Sequence, residues 1–189
     1  MALYQIAEYT GFEVIQLTDA KAYLRVDFID DDTYIEQLIK MARIKVTRDT
    51  HYPVVLTAIQ ENFRSWPLNR NTIQTLQFNG IFEGTPVVKY FNEANVETTL
   101  LDTNYRLLNN NGLLQIQFIN TFNFFDRDDA ISVSYSVKPQ GEQVEPLKIA
   151  MLMLIQHYYD NRTAVSYLKV NEMPLGYKNL INQYKNYIW

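Results

Sequence analysis

Two histidines and two clusters of aspartates are the residues of this chain whose types could carry out chemistry. His51 precedes Tyr52-Pro53, and His157 lies in the segment QHYYDNR. Neither is accompanied by further ligands at the spacing that a zinc site requires. The chain contains no cysteine, which excludes a thiolate metal site and a cysteine nucleophile. Both histidines are therefore predicted to be partly buried, hydrogen-bonded residues.

The first aspartate cluster, Asp30-Asp31-Asp32, could bind a divalent cation. A calcium loop needs alternating oxygen ligands, a central glycine and a distal glutamate. This run lacks the glycine, and Ile35 and Leu38 interrupt the pattern. Negative charge is favourable at the partially positive N-terminus of a helix. The three aspartates are therefore predicted to begin and cap a helix.

The second cluster places Asp126, Asp128 and Asp129 around Arg127. Paired carboxylates catalyse proton transfer when burial separates their pKa values, whereas a loop this polar is typically solvated. The chain has no GxxxxGK[ST], GxSxG or GxGxxG motif. We predict no catalytic residue, no bound metal and no cofactor, and a protein that is not an enzyme. The alternative is a hydrolase or a sugar-binding β module with these aspartates as its site.

The overall charge argues against tight binding to nucleic acid. The 189 residues carry a net charge of −4, and no run is rich in lysine or arginine. A protein that grips phosphates needs a basic surface. The longest apolar stretch, Ile149 to Ile155, is far shorter than the roughly 20 residues of a membrane span. We expect neither specific DNA binding nor a membrane span.

Helical patterns at both chain ends enclose a middle rich in short strands. Thr18 is a predicted N-cap of the first helix, and Thr33 with Glu36 fits a capping box for the second. The helix after Pro146 is apolar nearly all round, which predicts burial on two sides or a partner on one. The predicted fold is α+β in a single domain, in which residues 1–52 and 140–189 form a helical core and residues 53–139 form an inserted, mostly antiparallel β section. Within the first range, residues 1–16 read as an extended arm or first strand. One buried face of the second helix is predicted from the spacing of Ile35, Leu38, Ile39, Ala42 and Val46.

Aromatic residues supply the candidates for a protein interface. One group is a predicted aromatic loop and the other is the C-terminal segment. Tyr184 and Ile188 continue a buried helical stripe, whereas Tyr187 and Trp189 fall off it. Packing within the chain's own core is the other role open to all of them, and base stacking is the least expected. The candidate interface residues are Phe122, Phe124, Phe125, Tyr184, Tyr187, Ile188 and Trp189.

Four segments follow one another in a defined order. The first is LTDAKAYLRVD followed by DDTYIEQLIKMARIKV, a short helix, an acidic connector and a longer helix. The hairpin section VVKYFNEANVETTLLDTNYRLLNNNGLLQIQF comes next, then the pair AISVSYSV and EPLKIAMLMLIQHYYDNRTAV, and MPLGYKNLINQY closes the set. This ordered set resembles the head–tail connector, or adaptor, proteins of tailed bacteriophages.

The resemblance implies a structural protein of the virion neck, made in the host cytoplasm. Its copies would form a ring of about twelve subunits under the portal, extend the DNA channel and receive a stopper or tail protein. DNA would pass through without specific binding. The resemblance leaves open another neck or tail-completion role.

Overall fold

The structure, a computed structural model, has two compact units. A β unit comprises residues 1–11 and 55–140, and a helical unit comprises residues 12–54 and 141–189. The residues that the structure describes are 3–9, 12–66, 73–110, 112–139, 141, 144–162 and 174–184.

The described part of the helical unit contains four helices. They are α1 (Leu17–Leu24), α2 (Asp32–Thr50), α3 (Val144–Asp160) and α4 (Leu175–Asn182). Helix α1 begins two residues before the expected position, because Gln16 and Asp19 form the capping box. The N-cap of α2 is Asp31 and not Thr33, which lies inside the helix, so the predicted capping box of Thr33 and Glu36 is not formed. None of the described helices is long and apolar enough to span a bilayer.

One apolar cluster holds the four helices together. Helices α2 and α3 run antiparallel, since the Tyr34 hydroxyl in the first turn of α2 lies 3.4 Å from the carbonyl oxygen of Tyr158 in the last turn of α3. All five residues of the stripe predicted for α2 are buried, so this prediction is confirmed. The buried residues of the cluster include Ile35, Leu38, Ile39, Ala42, Val46, Leu147, Ala150, Met151, Leu154, Ile155, Tyr177 and Ile181.

The described residues of the β unit form two antiparallel sheets. One has five strands in the order β1-β2-β8-β4-β5 and the other has three in the order β3-β7-β6. The α+β fold class predicted from the sequence is confirmed. The strands are β1 (Leu3–Tyr9), β2 (Thr57–Phe63), β3 (Ile73–Asn79), β4 (Ile81–Phe91), β5 (Glu97–Thr99), β6 (Tyr105–Asn110), β7 (Leu113–Phe118) and β8 (Ile131–Lys138).

Alternating side chains of both sheets form the core of the β unit. Every second residue of β8 is buried, beginning with Ile131, and Leu114, Ile116 and Phe118 of β7 belong to the same cluster. This alternation is the pattern of strands with one buried face. The two sheets therefore stabilise each other through one apolar cluster.

The first residues of the chain differ from the predicted division. The predicted helical core includes residues 1–52, whereas β1 pairs with β2 and residues 1–11 belong to the β unit. Farther along the chain, Asn79 and Gly80 carry it from one sheet to the other, because β3 pairs with β7 and β4 pairs with β8.

Candidate protein-interaction surfaces

The two histidines occupy separate places in the helical unit. His51 follows the last residue of α2 in a left-handed backbone conformation, and burial lowers the pKa of its imidazole. His157 lies on the last turn of α3. The described residues include no group of three histidine, aspartate or glutamate side chains that could hold a metal ion.

The first aspartate cluster lies at the start of α2 as predicted, with Asp31 as the N-cap residue and Asp32 in the first turn, but its carboxylates bind other helices instead of the α2 backbone. The Asp31 carboxylate accepts a hydrogen bond of 2.5 Å from the Tyr159 hydroxyl and another from the Arg162 guanidinium. Asp32 accepts one from Lys21 of α1. No side-chain hydrogen bond caps the N-terminus of α2. The hydrogen bonds from Arg162 and then Tyr159 lower the pKa of Asp31.

The second aspartate cluster is exposed and paired with arginines. Asp126 and Asp128 lie 3.2 and 3.8 Å from the Arg64 guanidinium, with 77% and 86% of their side chains exposed. Asp129 forms an ion pair with Arg127, whose hydrogen bond lowers the pKa of this carboxyl. A general acid at neutral pH needs the opposite shift. The geometry therefore offers no acid–base pair at this loop.

The aromatic loop is held against the β unit, and its three phenylalanines differ. The Phe122 carbonyl accepts a hydrogen bond of 2.8 Å from the Trp66 indole, and the Phe122 ring stacks on Tyr90 at 5.8 Å between centroids. Phe124 packs against the apolar cluster of the β unit. Phe125 leaves 42% of its surface exposed. Of these three predicted interface residues, Phe124 faces inward, and Phe122 and Phe125 keep exposed surface.

The C-terminal candidates are described only in part. Tyr184 is half-buried on the helical cluster, with its ring centroid 6.5 Å from that of Tyr52. Tyr187, Ile188 and Trp189 lie outside the described residues. The interface role of the seven aromatic and aliphatic candidates stays a prediction.

Helix α2 carries an exposed stripe that the sequence analysis did not single out. Gln37, Lys40 and Arg48 are exposed along one side of the helix. Between them, Met41 and Ile44 expose 51% and 37% of their surfaces. In the sequence these two apolar residues stand between basic residues and do not form an apolar run. Their spacing from the buried stripe nevertheless places them on the side of α2 opposite the core.

Helix α3 carries a second apolar stripe. Ile149 exposes 48% of its surface, and Leu152 and Met153 are half-buried. The sequence predicted either a second buried side or a partner, and the structure leaves this side of α3 partly open. A groove of about 610 Å³ adjoins the stripe where α4 begins, lined by Met153, Gln156, His157, Asp160, Asn161, Pro174 and Gly176.

The chain is similar to one protein family over part of its sequence. Residues 14–75, less than half of the chain, match the family model described as phage gp6-like head-tail connector protein. No curated protein sequence matches the chain.

Three solved structures have the same fold. A chain from the neck of an empty gene transfer agent particle, solved with C6 symmetry, superimposes with a TM-score of 0.72 at 15% identity, covering 97% of this chain and 95% of that one. A chain from the virion of a native gene transfer agent gives 0.70 at 15% identity over the same shares. A chain from the native neck, solved with C12 symmetry, gives 0.64 at 16% identity, covering 95% and 94%. The resemblance seen in the sequence is thus confirmed: the chain matches the head–tail connector family over residues 14–75 and has the fold of particle neck proteins.

Proposed function

We propose that this chain is a structural protein of a phage-like particle and that its copies form a closed ring in the particle neck. The ring has twelve members, sits under the portal, extends the DNA channel and receives the stopper or tail protein. The observation that carries the proposal is a fold shared over 97% of the chain with a neck protein, joined to the connector match over residues 14–75. The subunit number is supported by the C12 symmetry of a similar neck.

The charge of the chain supports a passive role towards DNA. A net charge of −4 without a basic run disfavours adhesion to phosphates. DNA can then move through the ring without being retained. The role is not enzymatic: the exposed, arginine-paired carboxylates of Asp126 and Asp128 support this proposal, because they lack the burial that tunes catalytic acids.

Electron microscopy of purified particles tests the location. We expect a twelvefold ring of this chain between the portal and the tail. Density for the chain at the far end of the tail, or its absence from particles, would contradict the proposal. A ring in the neck with a different subunit number would correct the stoichiometry alone.

Mixing the purified chain with purified portal tests the partner. We expect the chain to sediment with portal as a closed ring. Binding to tail tubes but not to portal would assign a tail-completion role instead. A hydrolase activity that is lost in Asp126→Ala or Asp128→Ala would overturn the structural assignment.

A further inference from the structure

The exposed stripes of α2 and α3 lie on opposite sides of the helical unit. Both helices turn their buried faces towards the shared apolar cluster. Met41 and Ile44 of α2 therefore point away from α3, and Ile149 of α3 points away from α2. A ring is built from two different faces of each subunit, placed so that one subunit's first face meets its neighbour's second face. The two stripes have this arrangement.

The exposed residues of α2 and α3 have the same spacing along the helix axis when the two helices are placed antiparallel. Ile44 and Arg48 on α2 are separated by one turn, as are Ile149 and Glu145 on α3. In the other direction, Gln37 of α2 lies seven residues from Ile44. On α3 the matching residue is Gln156, seven residues from Ile149. Two helices with stripes of equal spacing can pack side by side over their whole length.

The chemistry of the stripes is complementary in this antiparallel register. Ile44 then meets Ile149, and apolar surface that each helix exposes alone is buried. Arg48 meets Glu145, whose side chain is 70% exposed. Met41 lies beside Leu152 on the neighbour. The apolar contacts and the Arg48–Glu145 ion pair therefore favour the same antiparallel register.

The register also brings Lys45 to the level of Lys148. Lys45 is paired with Asp49 at 2.6 Å in its own helix, and Lys148, 2.7 Å from Glu145, shares that carboxylate with the neighbour's Arg48. Both lysines lie beside the line along which Ile44 faces Ile149, because each is rotated by a quarter turn or more about its helix axis from that line. They do not oppose the pairing.

We propose that α2 of one subunit packs antiparallel against α3 of the next subunit, with Ile44 against Ile149 and Gln37 against Gln156. This inference rests on the proposed ring. Within one subunit α2 and α3 are antiparallel, and the small rotation between neighbours in a many-membered ring keeps that relative direction. The occupant of both stripes is a second copy of this chain.

Disulfide cross-linking in assembled particles tests the register, because the natural chain has no cysteine. The paired variants are Ile44→Cys with Ile149→Cys and Gln37→Cys with Gln156→Cys. The control variants shuffle the same cysteines into Ile44→Cys with Gln156→Cys and Gln37→Cys with Ile149→Cys. After oxidation, a non-reducing gel should show a ladder from dimer to full ring for the paired variants. The shuffled variants should show loss of that ladder, since their sulfur atoms are about two helical turns apart, beyond disulfide reach.

Each result has a defined meaning. Particles that contain the chain in the neck but give no ladder with either paired variant would overturn the interface and leave the proposed function intact. Dimers in the single variant Ile44→Cys would overturn it as well, because they indicate identical faces in contact. Absence of the natural chain from purified particles would overturn the proposed function. Unchanged melting temperatures of the purified variants show that the exposed cysteines do not disturb the fold.

Charge exchange gives a second readout. Arg48→Glu should reduce the amount of chain retained in particles, and Arg48→Glu combined with Glu145→Arg should restore it. Gln37→Glu on the same stripe is the control for an added charge without the partner. Equal retention of the single and the double variant would contradict the predicted contact.

Discussion

The hydroxyl of Tyr135 donates a hydrogen bond to the carboxylate of Glu61 inside the β unit. Glu61 is fully buried on β2, and its Oε1 atom also accepts a hydrogen bond of 2.8 Å from the backbone nitrogen of Gln77 on β3. The carboxylate thus links the five-stranded and three-stranded sheets. Burial raises the pKa of Glu61 to about 7, and the two hydrogen bonds offset only part of that rise.

This carboxyl makes the stability of the β unit depend on pH. A carboxyl whose pKa is higher in the folded than in the unfolded state stabilises the fold most below its unfolded pKa of 4.5. Stability then falls as the pH rises to about 7 and levels off above it. The shift corresponds to roughly 3 kcal/mol in the free energy of unfolding, as an order of magnitude.

Glu61→Gln should remove this pH dependence between pH 4.5 and 7, because the amide does not titrate. Denaturant unfolding at a series of pH values measures it. The exposed Glu93→Gln in the same unit should keep the slope of the natural chain. An unchanged slope in Glu61→Gln would show that another group titrates.

Asp31 should stabilise the helical unit, whereas the adjacent Asp30 should not. Asp31 joins the start of α2 to Tyr159 and Arg162 at the end of α3, and Asp30 is exposed. Asp31→Asn removes the negative charge to which Tyr159 and Arg162 donate hydrogen bonds, so the melting temperature should drop. The pKa of the Asp31 carboxyl is lower in the folded than in the unfolded chain. Its contribution to the free energy of unfolding is therefore present at neutral pH and is lost as the pH falls through the lowered pKa.

Asp30→Asn serves as the matched control, with the same chemical change one residue away. Thermal unfolding followed by circular dichroism at pH 7 and pH 3 compares the variants. Equal melting temperatures of the two variants at pH 7 would contradict the role of Asp31.

Gly80 should be required where the chain passes from one sheet to the other. Its backbone has a φ of +142°, and an added Cβ would lie 2.5 Å from Val137 and 2.8 Å from the carbonyl oxygen of Lys138. Gly80→Ala should therefore destabilise the β unit by more than about 1 kcal/mol. Gly84→Ala is the control, because Gly84 has a φ of +75° but no atom near its added Cβ. The prediction fails if denaturant titration finds Gly84→Ala equally destabilising.

Substitutions of Phe124 and Phe125, two residues of one loop, should have different effects: the first on the stability of the fold and the second on assembly. Phe124 packs on the apolar cluster, so Phe124→Ala should lower the melting temperature by several degrees. Phe125 is largely outside that cluster, so Phe125→Ala should leave the melting temperature nearly unchanged. If the loop is an interface as the sequence predicts, Phe125→Ala should also reduce the amount of chain recovered in particles. Normal recovery would remove Phe125 from the interface.

The local elements followed directly from the sequence. The buried stripe of α2 and the alternation of β8 repeat with the periods of a helix and a strand, and these periods do not depend on distant residues. The hairpin of β6 and β7 lies in the section that carries the family resemblance, and Gly112 in its turn adopts a φ of +86°. The resemblance to connector proteins rested on the order of these elements. It was confirmed because that order, like the periodicity of each element, is a property of the sequence.

Only the tertiary structure decided which distant groups meet. The acidic run predicts the start of α2, and Asp31 is its N-cap residue. The hydrogen bonds of the Asp31 carboxylate to Tyr159 and Arg162, more than 120 positions away in the sequence, depend on the tertiary structure. The burial of Glu61 and the membership of β1 in a sheet depend in the same way on which strands pair. The open stripes of α2 and α3 became visible once the shared core showed which side of each helix was already occupied. Sequence periodicity defines the faces of a helix, and the packing of its neighbours decides which face is left for a partner.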